Sequence, residues 1–244
     1  MSRFKLIVFD LSGTTVEDDN AVAKSLHRAA VEYGLDVPLE EFQKTIGTNK
    51  IHLYQYLIAR SRGRALDFEA FETYDFPELR DEAMKVFARY SVIMLDYYRQ
   101  HAKAMPGAEE TFRWCKERGI KVATDTGFHR DVNSAVIEAL GWLKRGLIDL
   151  SVDVEDTHEV GRPAPYMIFH AMQRLGIQSV HEVMKVGDTP ADLFSGYNAG
   201  CGGNVGVLSG ANNRETLESL PHTHLIDSVA RLPELIEGNG TTGK

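Results

Sequence analysis

The sequence is poor in cysteine, in long apolar runs and in net positive charge, and each shortage excludes a class of protein. Only two of its 244 residues are cysteines, Cys115 and Cys201, and their separation suits neither a zinc site nor a disulfide framework. No segment approaches the roughly 20 consecutive apolar residues of a membrane span. The net charge of −8 argues against nucleic acid and anionic membranes as partners, because both select for basic surfaces.

The remaining composition is that of an ordinary globular protein. Hydrophobic residues make up 43% and charged residues 25% of the chain, as in typical soluble domains. The apolar run near the start is short and carries Asp10, which does not fit a signal peptide. We therefore expect a cytoplasmic protein with a small molecule as its partner, and the sequence leaves a homodimer open.

Apolar periodicity divides the chain into two parts. Residues 18–102 show helical patterns, with predicted helices at 21–33, 39–45, 51–62 and 78–101. After Pro106-Gly107, predicted helices alternate with short strands at 121–125, 147–152, 183–186 and 204–208, in addition to a first strand at 6–9. Such alternation predicts an α/β fold with a doubly wound parallel sheet. We expect a core of residues 1–17 and 103–244, an inserted all-helical cap at 18–102, and a disordered tail after Glu237.

Asp10 follows the first predicted strand, at the end where doubly wound sheets bind ligands. No lysine or arginine follows in the next five residues to balance its charge, so a divalent cation is the expected counter-charge. Two residues on stands Ser12, where an Asp-x-Asp pair would supply an acid to protonate a leaving oxygen. A serine hydroxyl is too weak an acid for that task. The leaving group therefore needs no proton from this position, or receives one elsewhere.

Three more polar sites follow later predicted strands. They are Thr126-Gly127, Arg162 ahead of a proline-initiated helix, and the pair Asp188 and Asp192. Thr126 and Gly127 could hold a phosphoryl oxygen, Arg162 a dianion, and the two acids a hard cation. Taken singly, these features are more often a turn, a surface charge and a helix cap. Their common position at strand ends favours one site.

This set resembles the haloacid dehalogenase superfamily of aspartate-nucleophile hydrolases, whose core is Rossmann-like. The resemblance implies that Asp10 attacks the substrate and forms a covalent aspartyl intermediate, and that Thr126 and Arg162 take part in catalysis. It implies Mg²⁺ as the cofactor, held by the Asp10 carboxylate, the Ser12 carbonyl and Asp188, with Asp192 just outside these ligands. The residues predicted to contact substrate are Ser12, Gly13, Thr14, Gly127 and His52.

Within the superfamily the chain most resembles the phosphonatases, which are phosphonoacetaldehyde hydrolases. The run Asp10-x-Ser12-Gly13-Thr14-Thr15 is similar to theirs, which has alanine in place of Ser12. The Gly-Arg-Pro-x-Pro run at 161–165 carries arginine in place of the superfamily's usual lysine. Residues 46–52 are similar to the Met-Gly-x-x-Lys-Ile segment of the phosphonatase cap. The lysine of that segment, here Lys50, forms a Schiff base with the substrate aldehyde.

A Schiff base at Lys50 would explain why no second acid stands beside Asp10. A C–P bond does not break toward a plain carbanion, and an iminium formed by a lysine and a β-carbonyl supplies the electron sink. Carbon then takes up the electrons, so no alkoxide needs an acid at Ser12. The expected function is therefore Mg²⁺-dependent cleavage of a 2-oxoalkyl phosphonate such as phosphonoacetaldehyde.

The sequence departs from the phosphonatases at two positions, and we therefore also consider other substrates. Leu53 stands where they have a histidine three residues after the lysine, with His52 about 100° away around the helix. Phe128 replaces a tyrosine-like position. The alternatives are a phosphatase for a small phosphate monoester, in which Lys50 only binds substrate, and a 2-haloacid dehalogenase. Asp188 and Asp192 count against the dehalogenase, since carbon-directed members need no metal.

Overall fold

The computed structural model describes residues 3–46, 48–68 and 70–238. The chain divides into two compact units, one formed by Asp19–Gln100 and the other by the residues up to Asp18 and from His101 on. The predicted insert was 18–102, and its role as a cap stays a prediction. Gly47 of the phosphonatase-like segment lies outside the described residues, as does the predicted tail beyond residue 238.

The unit Asp19–Gln100 is helical, as its periodicity predicts. Its helices are α1 (Ala21–Glu32), α2 (Leu39–Gln43), α3 (Lys50–Ser61) and α4 (Arg80–His101), whose last residue belongs to the other unit. Two 3₁₀ turns, Phe71–Thr73 and Pro77–Leu79, precede α4. The Tyr54 hydroxyl, fully buried, donates to the Leu26 carbonyl at 3.1 Å and joins α3 to α1.

The other unit is built on a six-stranded parallel sheet. Its strands are β1 (Leu6–Asp10), β2 (Lys121–Asp125), β3 (Leu150–Val152), β4 (Val183–Gly187), β5 (Gly203–Val207) and β6 (His224–Ile226). Their spatial order is β3-β2-β1-β4-β5-β6, and every neighbouring pair is parallel. The predicted doubly wound α/β fold is confirmed. The chain moves outward from β1 in one direction and then returns to β4 on its other side, which opens a ligand crevice at the carboxyl end of β1.

Among the described residues of this unit, five helices lie between strands in the chain, and a sixth follows the last strand. They are α5 (Ala108–Glu117), α6 (Arg130–Leu140), α7 (Tyr166–Leu175), α8 (Pro190–Ala199), α9 (Arg214–Glu218) and α10 (Leu232–Ile236). α7 begins only at Tyr166, because Arg162 and Ala164 each precede a proline, which disfavours helical backbone there. None of the helices in the described part of the chain is long and apolar enough to span a membrane.

Two strands differ from the sequence-based prediction. β3 begins at Leu150 and not at residue 147, because Leu147 and Ile148 belong to the turn that follows Gly146, a glycine with φ +68. β6 was not predicted, since three residues with one exposed side chain carry too little periodicity to be distinguished from a loop.

Aromatic side chains fill the interface between β1 and α5. The ring of Phe112 lies 5.2 Å from that of Phe9 and 5.1 Å from that of Trp142, both in edge-to-face geometry. All three side chains are fully buried. Such contacts add to the free energy gained by burying apolar area, and they fix the strand that ends in Asp10.

Truncation of this aromatic cluster should destabilise the protein. Phe112→Ala is expected to lower the free energy of unfolding by about 3–5 kcal/mol, because a cavity replaces a buried ring. Urea denaturation followed by circular dichroism measures the change. Leu143→Ala is the control, since Leu143 is 49% exposed and should change stability by roughly 0.5 kcal/mol or less. Equal losses in the two variants would contradict this assignment of the core.

Candidate active site

The strand register brings acidic side chains together at the carboxyl end of the sheet. Asp10, the last residue of β1, pairs with Asp125, the last residue of β2. Asp188 directly follows β4, and Asp192 lies in the first turn of α8. All four carboxylates are at most 3% exposed. Charges buried this deeply need counter-charges close by.

Arg162 supplies one of those counter-charges. Its Nη1 donates to Asp10 Oδ1 at 2.5 Å, makes a short hydrogen bond to Asp192 Oδ1, and lies 3.6 Å from Asp125 Oδ1. The guanidinium side chain is only 8% exposed. Gly127 lies beside it, since a Cβ at that glycine would come 3.8 Å from Arg162 Nη2. The arginine predicted from sequence to bind a dianion thus contacts the carboxylates directly.

Asp192 serves both the helix and the charge cluster. It forms a capping box with Thr189, in which Asp192 Oδ2 accepts from the Thr189 hydroxyl at 2.6 Å and from its N–H at 3.2 Å. Its Oδ1 faces Arg162 and Lys185. Burial opposes ionisation of Asp192, but these two cations outweigh it and lower the pKa to about 2. A Cβ at Gly187 would fall 2.2 Å from Asp192 Cγ, so this approach requires glycine.

Asp188 is held by two loops. Its Oδ1 accepts from the Thr14 hydroxyl at 2.9 Å, and its Oδ2 accepts from the Ala211 N–H at 2.8 Å. The Asn212 amide donates to the Asp188 carbonyl at 3.1 Å. A Cβ at Gly210 would lie 2.1 Å from Asp188 Oδ2. The loop after β5 is therefore part of the site. It was not predicted, although its position after a predicted strand was a usable signal.

Asp125 and Lys185 were also missed. Lys185 lies in the middle of β4, and its Nζ is 2.5 Å from Asp125 Oδ1 and 2.9 Å from Asp192 Oδ1. Burial disfavours the charged ammonium, but the two carboxylates outweigh it and raise the pKa of Lys185. A lysine inside the apolar run Val183–Val186 and an acid at a strand end were the available sequence signals. Without knowledge of the strand register, Asp125 and Lys185 look like ordinary strand residues.

The site carries more negative than positive charge. Four carboxylates, Asp10, Asp125, Asp188 and Asp192, face two cations, Arg162 and Lys185. Burial raises the pKa of Asp10 well above its usual range, against the opposing effect of Arg162. Burial, reinforced by Asp192, raises the pKa of Asp188 to about 6. Two uncompensated buried carboxylates are a suitable environment for a divalent cation.

The donor set fits a hard cation such as Mg²⁺. Oxygen atoms of Asp10, Asp125 and Asp192 lie within 4.8 Å of one another, but Arg162 and Lys185 already occupy the space between these three acids. The excess charge lies instead on Asp10 and Asp188. Carboxylate oxygens and a backbone carbonyl are ligands that Mg²⁺ prefers.

The remaining predicted residues fall into two groups. In the sheet unit, Thr126 is buried directly after β2 and its hydroxyl accepts from the Phe128 N–H at 3.2 Å. The Gly13 carbonyl accepts from the Ser209 hydroxyl at 3.0 Å, which ties the loop after Asp10 to the loop after β5. Ser12 forms an isolated bridge with Val16 in that same loop.

Lys50 and His52 belong to the helical unit, where they lie in the first turn of α3. Asn49 caps this helix, its side chain accepting from the N–H groups of Ile51 and His52. Lys50 Nζ donates to the carbonyls of Thr45 and Thr48, both at 3.0 Å. Leu53 is 1% exposed in the core of this unit. The amine is therefore held at a helix N-terminus, whereas Leu53 serves packing.

Comparison with known proteins agrees with this architecture. The family model of haloacid dehalogenase-like hydrolases matches residues 4–200. A phosphonoacetaldehyde hydrolase of Vibrio vulnificus is 26% identical over 96% of this chain and 94% of its own length. The crystal structure of a phosphonoacetaldehyde hydrolase like protein from Oleispira antarctica superimposes with a TM-score of 0.75 at 22% identity, covering 97% of this chain and 92% of its own. That of a predicted phosphoglycolate phosphatase from Haemophilus somnus gives 0.75 at 21% identity, covering 96% and 99%.

Mg²⁺ affinity should rise with pH. The pKa of Asp188 is about 6 in the metal-free fold, above its ordinary 3.8, so folding favours the protonated acid. That contribution to stability is present below pH 3.8 and is lost as the pH rises through about 6. Mg²⁺ requires the carboxylates of both Asp10 and Asp188, so its affinity should increase at least roughly tenfold per pH unit below about 6 and rise further until Asp10, whose pKa burial also raises, has lost its proton.

Calorimetric titration with Mg²⁺ between pH 5 and pH 8 measures this dependence. Asp188→Asn is the control, because the amide does not titrate and should remove both the affinity and its rise. A pH-independent affinity in the unmodified protein would contradict the assignment of Asp188 as a ligand.

Proposed function

The chain belongs to the haloacid dehalogenase-like hydrolases, and we propose that it is a Mg²⁺-dependent, phosphonatase-like enzyme that cleaves the C–P bond of a 2-oxoalkyl phosphonate such as phosphonoacetaldehyde. The observation that carries the proposal is the pairing of a buried Asp10–Arg162 contact with Ser12 in place of a second acid. Relatives named phosphonoacetaldehyde hydrolase match over nearly the whole chain at 24–26% identity, which supports this choice within the family.

Asp10 is the proposed nucleophile. Its carboxylate attacks phosphorus, the C–P bond breaks, and the electron pair of that bond goes to the carbon side of the substrate. Water then hydrolyses the aspartyl phosphate and releases inorganic phosphate. The contact between Asp10 Oδ1 and Arg162 Nη1 at 2.5 Å supports this assignment, because the guanidinium holds the attacking group in one orientation.

Arg162 and Thr126 are the proposed partners of the phosphoryl oxygens. The guanidinium offers a planar fork of N–H donors that matches phosphate geometry, and Thr126 offers a hydroxyl directly after β2. Asp10, the Ser12 carbonyl and Asp188 would hold Mg²⁺, which would neutralise charge on the phosphoryl group. Asp192 then acts through Arg162, since its Oδ1 contacts that guanidinium.

Lys50 is the proposed electron sink. Its amine condenses with the substrate carbonyl and releases water, and the resulting iminium accepts the electron pair of the C–P bond as an enamine. Protonation at carbon and hydrolysis of the iminium then return the amine and release the carbonyl product. The N-terminus of α3 disfavours a positive charge, whereas the carbonyls of Thr45 and Thr48 favour the ammonium. Condensation therefore requires Lys50 to leave these carbonyls and lose a proton.

A phosphate monoester hydrolase is the second candidate, and the environment of Leu53 favours it. The phosphonatases have a histidine at this position, whereas Leu53 is buried and moves no proton. If no Schiff base forms, Lys50 remains a cation that binds substrate, and the leaving oxygen obtains its proton from water or another group. The two candidates share Asp10, Arg162 and Asp188, and they differ in the role of Lys50.

Replacement of the nucleophile should abolish turnover in either case. Asp10→Asn is expected to lower kcat at least about 1,000-fold, because the amide neither attacks phosphorus nor balances Arg162. Phosphate release from phosphonoacetaldehyde measures the loss. Asp149→Asn is the control: Asp149 is a partly buried aspartate that pairs with Lys116, but it precedes β3 at the amino end of the sheet. If Asp10→Asn turns over substrate near the parent rate, the assignment of Asp10 as the nucleophile is wrong.

Lys50→Arg separates the two candidates. Arginine keeps the positive charge, but guanidinium does not deprotonate in proteins and forms no Schiff base. C–P cleavage should therefore be lost. In the unmodified protein, borohydride added with phosphonoacetaldehyde should tether the substrate carbon to Lys50, which peptide mass spectrometry detects. Lys44→Arg is the control, since exposed Lys44 lies in the same unit. Phosphate-ester hydrolysis that survives in Lys50→Arg, with no trapped adduct, would favour the phosphatase.

A further inference from the structure

Four buried side chains form a closed ring of alternating charge beside Asp10. Arg162 Nη1 contacts Asp192 Oδ1, which lies 2.9 Å from Lys185 Nζ. Lys185 Nζ lies 2.5 Å from Asp125 Oδ1, which in turn is 3.6 Å from Arg162 Nη1. We call Arg162, Asp192, Lys185 and Asp125 the charge ring. Each member faces two members of opposite sign, so the ring as a whole is neutral.

We propose that Lys185 is a positioning residue for the Arg162 guanidinium: it neutralises Asp125, which would otherwise draw the guanidinium away from the substrate side. The inference rests on the proposed function only in requiring that Arg162 binds a phosphoryl oxygen, which a phosphonatase and a phosphatase share. Neither Asp125 nor Lys185 contacts substrate in this proposal, since both side chains are 0% exposed.

The charge balance of the ring explains how this positioning works. With Lys185 present, Asp125 and Asp192 share two cations, and Arg162 Nη1 also reaches Asp10 at 2.5 Å. Without Lys185, two buried carboxylates would depend on Arg162 alone. Coulomb attraction in a buried site would then draw the guanidinium toward Asp125 and away from the substrate side. Because the ring neutralises itself, Asp10 and Asp188 remain as the two charges available to a divalent cation.

Stability alone does not account for the Asp125–Lys185 pair. Apolar side chains of similar volume often replace a buried ion pair with no loss of stability. Here the pair lies between the sheet and α8, where apolar side chains would fill the space. Asp125 Oδ2 is buried and has no hydrogen-bond partner among the described residues, which adds a desolvation cost. The pair contacts Arg162, and its role in placing that guanidinium explains why it is present despite this cost.

The test uses three charge states of the ring in the full-length protein. Lys185→Met makes the ring negative, Asp125→Asn makes it positive, and the double variant Asp125→Asn/Lys185→Met restores neutrality. The probe is inorganic phosphate in the presence of Mg²⁺, with affinity measured by calorimetry at a temperature where each variant is folded. Lys116→Met is the matched control, because Lys116 pairs with Asp149 at 2.6 Å at the amino end of the sheet.

Only Lys185→Met, of the two single variants, is expected to weaken phosphate binding. Lys185→Met should weaken phosphate binding on the order of 10- to 100-fold, the usual range for residues that orient a binding group. Asp125→Asn should retain or strengthen it, and the double variant should recover most of the loss. A merely structural pair predicts weaker binding in both single variants, or in neither. That pattern would overturn the proposal, as would a double variant no better than Lys185→Met.

Three further outcomes are decisive. If Lys185→Met does not fold, Lys185→Gln takes its place, because it also removes the positive charge: weaker phosphate binding that Asp125→Asn/Lys185→Gln recovers supports the proposal, and unchanged binding in Lys185→Gln overturns it. If the unmodified protein binds no phosphate, the proposal fails. If the variants change phosphate affinity as expected but the protein does not cleave phosphonoacetaldehyde, the proposed function is contradicted and the role of the charge ring is supported.

Discussion

The contact between Arg162 and Asp10 is the interaction on which the rest of the site depends. Four buried carboxylates converge at the carboxyl ends of β1, β2 and β4, and such a cluster forms only if cations enter with it. Arg162 reaches three of the four. Its backbone position follows from the proline-rich turn before α7, and the capping box of α8 holds the facing acid. Fold and site are therefore linked through one guanidinium.

Sequence reasoning recovered most of the fold because its signals are local. The buried run before Asp10, the helix stops at glycines and the strand-helix alternation each depend on a few neighbouring residues. β6 was not predicted because three residues are too few to show a reliable hydrophobic period. Asp10, Asp188 and Asp192 were found because they follow predicted strands. Asp125 and Lys185 were missed because their pairing depends on the register of β1, β2 and β4, which no single segment of the sequence specifies.

In the proposed function, the helical unit carries the more specific part of the chemistry. Residues 46–52 resemble the phosphonatase segment, and α3 begins at Lys50 with Asn49 as its cap. Two carbonyls hold the amine there, and the buried Leu53 offers no proton. The proposal therefore assigns phosphoryl transfer to the core and makes the choice between a C–P and a P–O bond depend on whether Lys50 reacts as an amine.

Phosphorus NMR of a mixture of phosphonoacetaldehyde and phosphoglycolate, incubated with the protein and Mg²⁺, tests the central claim most directly. Phosphonate, phosphate ester and inorganic phosphate give separate signals, so one experiment follows both bonds. The account predicts that the phosphonate signal decays into inorganic phosphate while the ester persists, and that omission of Mg²⁺ stops the decay. Loss of the ester with an intact phosphonate would contradict it.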